Sequence, residues 1–149
     1  MGVLLCIEMS NVSSFNSSYS NWNNIRKLFL ESCIEYMKIC QNDISFKNIN
    51  LNDLTNEFSN IEYENNDKLI KVLFENYDIL QLLKIEGIYH LLKKSDNNGI
   101  YTYTDSKLIS EMIEIIQYFI YNKTFLKDIE YLKNMFLISY ENKKNILIK

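Results

Sequence analysis

The two ends of this chain constrain its fold more than anything between them. Gly2-Val3-Leu4-Leu5-Cys6-Ile7 stands near one end and Asn145-Ile146-Leu147-Ile148-Lys149 at the other, both short and strongly aliphatic. Val3, Leu5, Ile7 and Met9 alternate loosely with Leu4, Cys6 and Glu8. Runs of this length and composition suit buried strands better than helices. A lone strand leaves its backbone donors and acceptors unpaired, so the two ends are expected to pair with each other or within one small sheet. The apolar residues between them recur mostly at helical spacing. The expectation is therefore an α+β fold, with a mainly α-helical body of about five helices and a small sheet containing the N- and C-terminal strands.

The helices can be placed from their apolar faces and caps. A Ser/Asn-rich loop is expected over residues 10–20, with Ser20 capping a helix over 21–41. Trp22, Ile25, Leu28, Phe29, Tyr36, Met37 and Cys40 fall near one face of that helix, while Lys27 and Glu31 form an i,i+4 pair on another. Residues 42–66 are polar and Asn-rich, with one short helix expected at Leu51, Leu54 and Phe58 behind Asn50 or Asn52. A further helix should run from Asp67 to about Leu83, with a kink or break at Gly87 and continuation to Lys94. Thr104 or Asp105 is expected to cap a strong helix carrying Leu108, Ile109, Met112, Ile115, Ile116 and Phe119. Thr124 is expected to cap the last one, with Phe125, Ile129, Leu132, Phe136 and Tyr140. No repeat or linker composition divides residues 1–149, so they read as a single domain.

At 149 residues the chain can bury a stable core without staples. Its net charge of −3, with lysines scattered among acids, provides no basic stripe for nucleic acid. Met112 to Tyr121 is the longest helical apolar stretch, and Glu114 and Gln117 interrupt it. No segment approaches the roughly 20 apolar residues of a membrane span. Gly2 to Ile7 is too short for a secretory signal and no basic residues precede it. The three cysteines, Cys6, Cys33 and Cys40, form no CxxC pair, and they read as reduced core residues. A cytoplasmic location is the expectation. The absence of proline and the abundance of Asn, Ile and Lys reflect an AT-rich genome, such as that of a low-GC bacterium or a large DNA virus.

Polar chemistry concentrates at Lys94-Ser95-Asp96-Asn97-Asn98-Gly99-Ile100-Tyr101-Thr102. Asn and Gly tolerate positive φ, and Asp and Asn bond neighbouring amides, so the run reads first as a tight inter-helix turn. As a calcium loop with Gly99 in sixth place it would set Lys94 where a carboxylate is needed and Asp105 where the bidentate Glu belongs. No metal site or cofactor is expected. His90 is the one histidine, followed by Ser95 and Asp96. That order hints at a base, nucleophile and orienter, but no nucleophile elbow or Gly-rich oxyanion loop accompanies it. The eleven tyrosines either fill core space with wet hydroxyls or form a recognition surface. Glu57, Glu62, Glu64 and Asp67 mark an acidic stretch that is a solvated loop or, if functional, an offer of negative charge to a basic partner.

Several of these motifs together resemble small bacterial immunity-type proteins of polymorphic toxin systems. Members of that family open with a Met-Gly-aliphatic strand, as in Met1-Gly2-Val3-Leu4-Leu5. A Gly-Ser-Tyr-like motif leads into an Arg-bearing helix, matched by Ser17-Ser18-Tyr19 before Trp22, Ile25 and Arg26. A His-Ser-Asp-Cys-Asp-Gly turn follows, of which Ser95, Asp96 and Gly99 remain. Lys94, Asn97 and Asn98 replace its His, Cys and second Asp, which weakens any metal or catalytic role of the turn. Ser139-Tyr140-Glu141-Asn142 before Ile146-Leu147-Ile148 is similar to the family's last helix and strand. The resemblance covers both ends of the chain and leaves about residues 40–80 outside it.

The resemblance implies a non-enzymatic, cytosolic protein-binding domain that neutralises a partner toxin by occlusion. Its expected contact residues are Tyr19, Trp22, Arg26, Asp96, Asn98 and Tyr101, converging on one surface. Neither nucleic acid nor membrane is an expected partner. Two alternatives stand beside it: a virus-encoded helical Bcl-2-like interaction protein, and a small hydrolase using His90, Ser95 and Asp96.

Overall fold

The computed structural model describes residues 2–8, 14–64, 66–94, 99–120 and 122–149. The expected strand residue Met9 and the turn residues Ser95, Asp96, Asn97 and Asn98 lie outside the described residues.

The fold is α+β, with a mostly helical body closed by a small antiparallel sheet that holds both terminal strands. The strands are β1 (Gly2–Ile7), β2 (Phe15–Ser18), β3 (Ile100–Tyr101) and β4 (Ile146–Ile148), in the spatial order β2-β1-β4-β3. Leu5 sits opposite Phe15 on one side and opposite Ile148 on the other, and Tyr101 sits opposite Ile146. Directly opposed residues share a face. Val3, Leu5, Ile7, Phe15, Tyr101, Ile146 and Ile148 are all buried, so the inner face of the sheet is a continuous part of the core. Backbone bonds between Leu4 and Lys149 extend the β1–β4 pairing at 2.8 and 3.0 Å. An all-helical Bcl-2-like body would not contain this sheet.

Seven α-helices are present among the described residues. Five are long: α1 (Tyr19–Cys40), α2 (Leu51–Ser59), α3 (Asn66–Glu75), α6 (Tyr103–Ile116) and α7 (Leu126–Asn142). Two are short: α4 (Tyr77–Leu82) and α5 (Gly87–Leu92). Helix α1 begins two residues earlier than its apolar pattern suggests, because Ser18 rather than Ser20 accepts the Asn21 N–H at 3.1 Å. Asn50 caps α2, as expected. The helix expected from Asp67 to Leu83 is broken at Asn76, whose side-chain amide bonds back to Val72 O at 2.8 Å and competes with the helix. The α6 cap is a full capping box of Thr102 and Asp105, not Thr104. Before the last helix, Asn122 rather than Thr124 accepts the leading N–H, and a short 3-10 turn over Lys123–Phe125 precedes α7. At the far end of α7, Lys143 adopts the left-handed conformation (φ 53°) that closes the helix ahead of β4.

Helix α6 packs against both α7 and α5, and α1 packs against α5, α6 and strands β1 and β2. Ile109, Met112, Ile113 and Ile116 of α6 meet Ile129, Leu132, Met135 and Phe136 of α7 in a single core, to which α1 adds Trp22, Ile25, Phe29, Cys33 and Met37. Two serines inside this layer share a hydrogen bond, with Ser106 Oγ and Ser139 Oγ 2.9 Å apart, and Ser139 Oγ also meets the Lys144 carbonyl, which accepts its proton. No helix among the described residues is long and apolar enough to cross a membrane.

Candidate functional site

The densest polar cluster is made by the contact of α5 and α6, and a glycine sets their spacing. A Cβ built on Gly87 would stand 2.3 Å from the Leu108 carbonyl oxygen, so only glycine permits this approach. His90 lies one turn beyond Gly87 on α5, and Asp105 lies one turn before Leu108 on α6. The close approach therefore faces them, and His90 Nδ1 is 2.9 Å from Asp105 Oδ1. The alignment falls short of a formal hydrogen bond, leaving a close polar contact in a site where the side chains are only 14% and 9% exposed. The other ring nitrogen, Nε2, is 2.6 Å from the Tyr77 hydroxyl.

Asp105 is the pivot. Its Oδ2 accepts the Thr102 N–H at 3.0 Å while its own N–H bonds the Thr102 hydroxyl at 3.1 Å. Lys93 Nζ stands 3.8 Å from Oδ1. Burial alone would raise the carboxyl pKa, but His90, the Thr102 N–H, Lys93 and the Thr102 hydroxyl together outweigh it and hold Asp105 at about 2. Tyr77 is pushed the other way, by burial first and then by Glu86, Asp105 and Tyr89. It stays a phenol, and its hydroxyl shares one hydrogen bond with His90 Nε2 whose direction follows the imidazole tautomer. Glu86 Oε2 is buried with no hydrogen-bond partner.

This arrangement has the outline of a base and its orienter, but the position a nucleophile or substrate would need is filled by Tyr77. Both ring nitrogens already face protein groups within 3 Å. The expected partners of His90, Ser95 and Asp96, lie outside the described residues. Asp105, expected as a helix cap, and Tyr77, inside the helix expected from Asp67 to about Leu83, are the groups that meet the imidazole. Only the capping box left a local signal for either. Among the described residues no group of three or more His, Cys, Asp or Glu side chains is placed to hold a metal ion.

The expected contact residues are placed as follows. Tyr19 is half-buried at the start of α1. Trp22 is 1% exposed and packs its ring 6.0 Å from that of Phe15. Arg26 is 6% exposed and donates through one terminal nitrogen to Leu92 O at 2.9 Å and Lys94 O at 3.2 Å. Tyr101 is fully buried, and its hydroxyl donates to Leu91 O at 2.9 Å. Arg26 and Tyr101 thus converge on the C-terminal end of α5, where helix carbonyls lack intrahelical partners. Trp22 and Tyr101 present no surface to a partner, and their visible work is to hold the fold. Asp96 and Asn98 lie outside the described residues.

Accessible surface of the kind a partner needs lies elsewhere on α1. A groove of about 450 Å³ runs between α1 and the segment following α2. Leu30, Ile34, Phe58 and Ile61 form its apolar floor, and Glu31, Glu35, Glu62 and Glu64 stand exposed along its walls. Among its described lining residues Lys27 and Lys38 are the cations, and Lys38 is paired to Glu35 at 3.1 Å. A second cavity of about 460 Å³ adjoins it, lined by Asn23, Asn24, Arg26 and Asn66, and shares Lys27, Tyr63 and Glu64 with the groove. No family model, no curated protein and no solved structure matches this chain.

Proposed function

We propose that this chain is a non-enzymatic protein-binding domain of the immunity type, which neutralises a partner toxin by covering its working surface. The observation that carries the reading is the groove along α1. An apolar floor edged by four carboxylates and two ammonium groups fits an elongated, basic segment of another protein. Apolar contact in such a groove supplies affinity, and the carboxylates supply register and a fast approach. The approach of protein groups to within 3 Å of both His90 ring nitrogens favours a structural role for the polar centre over a catalytic one. The opening strand, the Ser-Ser-Tyr entry to α1 and the closing helix and strand support the immunity-type assignment by resemblance. Three free cysteines suit a reducing, cytosolic compartment.

The decisive experiment pairs this chain with the product of the neighbouring reading frame in its genome. Co-expression is expected to restore growth to cells carrying that product and to yield a stable complex. Its affinity should fall as ionic strength rises. Reversing two wall charges together, Glu62→Lys and Glu64→Lys, should weaken the complex at least tenfold, since like charges then face the basic partner. A neighbour that is harmless alone, or a complex indifferent to the double reversal, would overturn the reading.

A further inference from the structure

Helix α7 buries one side in the core and turns the other to solvent. Lys127, Glu130, Tyr131, Asn134, Leu137, Ile138 and Glu141 are all exposed, and they recur at helical spacing, so they form one continuous face. Tyr131, Leu137 and Ile138 are 37%, 39% and 38% exposed. The Tyr131 hydroxyl donates to Ser14 O at 3.0 Å, which holds its ring in place on that face. Among the described residues none of Lys127, Glu130 and Glu141 has an ion-pair partner.

The order of residues along this face is its own complement. An antiparallel copy of α7 centred on Asn134 brings Lys127 to Glu141 of the second copy and Tyr131 to Ile138. Asn134 meets its own counterpart on the two-fold axis, and every other contact occurs twice. These are the successive layers of two helices packed on a seam of three- and four-residue spacing, and one Asn in such a seam fixes its register. Leu137 lies beside the seam, where the second copy presents Glu130 and the cleft next to it. That cleft, of about 430 Å³, is lined by Tyr118, Ile120, Leu126 and Ile129 with Glu130 and Lys133, and can receive an apolar side chain.

We propose that this face of α7 binds a second copy of this chain, forming an antiparallel two-fold dimer. Tyr131 and Ile138 supply its apolar layers, Lys127 and Glu141 its reciprocal ion pairs, and Asn134 its register. A contact made by one helix pair is at the small end of specific interfaces, so half-association is expected on the order of 10–100 µM. The dimer uses no residue of the α1 groove and holds whether or not that groove takes a protein partner.

Sedimentation equilibrium of the full chain across a range of concentrations tests it. The parent is expected to pass from monomer to dimer, and Ile138→Glu to remain monomeric with its thermal unfolding unchanged. Lys127→Glu sets like charges against each other at both ends of the seam and should weaken the dimer about tenfold. The deciding variant combines Lys127→Glu with Glu141→Lys, and should return the affinity to within about threefold of the parent. Residues 127 and 141 are roughly 21 Å apart along one helix, so only contact between two copies can produce that rescue. Both changes also suit the dipole of α7, a negative charge in its first turn and a positive one in its last. A chain that stays monomeric up to about 500 µM would overturn the proposal and leave the face to a different protein. A dimer indifferent to Lys127→Glu, or one that the charge exchange does not restore, would overturn it equally.

Discussion

Around His90 the polar groups face one another, whereas along α1 they face outward. Tyr77, His90, Asp105, Thr102 and Lys93 form a nearly closed set in which most valences are met by protein. The groove along α1 presents exposed carboxylates and two ammonium groups over an apolar floor, with Lys38 and Glu35 paired and the others turned to solvent. The first set resembles a catalytic constellation on paper, through its histidine, carboxylate and hydroxyl. Geometry makes it a lock between α5 and α6 instead. The second set carries no recognisable motif, yet it holds the unmet bonding capacity that a ligand or partner requires. Residue types alone do not tell the closed set from the open one.

The comparison can be broken hardest at Gly87. Gly87→Ala drives a methyl into the Leu108 carbonyl, and α5 must move away from α6. A loss of about 3 kcal/mol in urea unfolding is expected, with the His90 ring resonances shifted because its partners separate. A variant as stable as the parent would show that the α5–α6 contact does not set the centre. Replacing Asp105 by Ala removes the capping box and the anion beside His90 and Lys93 together. About 2–3 kcal/mol should be lost, and Asn at this position should recover part of the cap. Equal losses for Ala and Asn would mean that charge, and not capping, dominates.

Acid should act on the same residue. The unfolded carboxyl titrates near 3.8 and the folded one at about 2, so its stabilisation is complete above pH 3.8 and is lost as pH falls toward 2. The stability of the parent should drop by about 2 kcal/mol more than that of Asp105→Asn across that window. Parallel pH curves for the two proteins would remove Asp105 as the cause. The smallest effect sharpens the contrast from the other side: Glu62→Lys with Glu64→Lys should change stability by less than about 0.5 kcal/mol. A large loss on thermal unfolding would show that the groove walls support the fold and are not free for a partner.

Much of this fold is written locally. The alternation at Val3, Leu5 and Ile7 and the aliphatic run at Ile146–Ile148 mark two strands, and both lie in the sheet. Long amphipathic stretches mark α1, α6 and α7, and Asn50 marks the start of α2. The errors fall where the local signal is short or shared. Strand β2 lies in a Ser/Asn-rich segment with one apolar inward residue, Phe15, and β3 is two residues long, so neither has a period to read. Ser18 and Ser20 are equally good caps in isolation, as are Thr102 and Thr104. The choice goes to the residue whose neighbours also close a hydrogen bond, such as Asp105 reaching back to the Thr102 N–H.

The sites were less legible than the fold. Arg26 and Tyr101 stand out in the sequence, but as surface anchors, because nothing nearby in the chain shows that their polar ends meet the α5 carbonyls. Tyr77 lies thirteen positions before His90, and Asp105 lies on another helix, so no spacing rule joins the three.

By itself the sequence determined the long amphipathic helices, the pairing of both ends in one sheet, and a net charge of −3 with lysines scattered among acids. Those properties depend on periodicity, capping chemistry and charge, each of which acts over a few residues. Only the tertiary structure decided which polar groups are satisfied and which are left open. It closed His90 between Tyr77 and Asp105, turned Arg26 inward toward α5, and left the carboxylates of α1 and the 62–64 segment along a shared groove. Satisfaction depends on distances between residues far apart in sequence, and those distances follow from how closely helices can pack, here as closely as Gly87 allows.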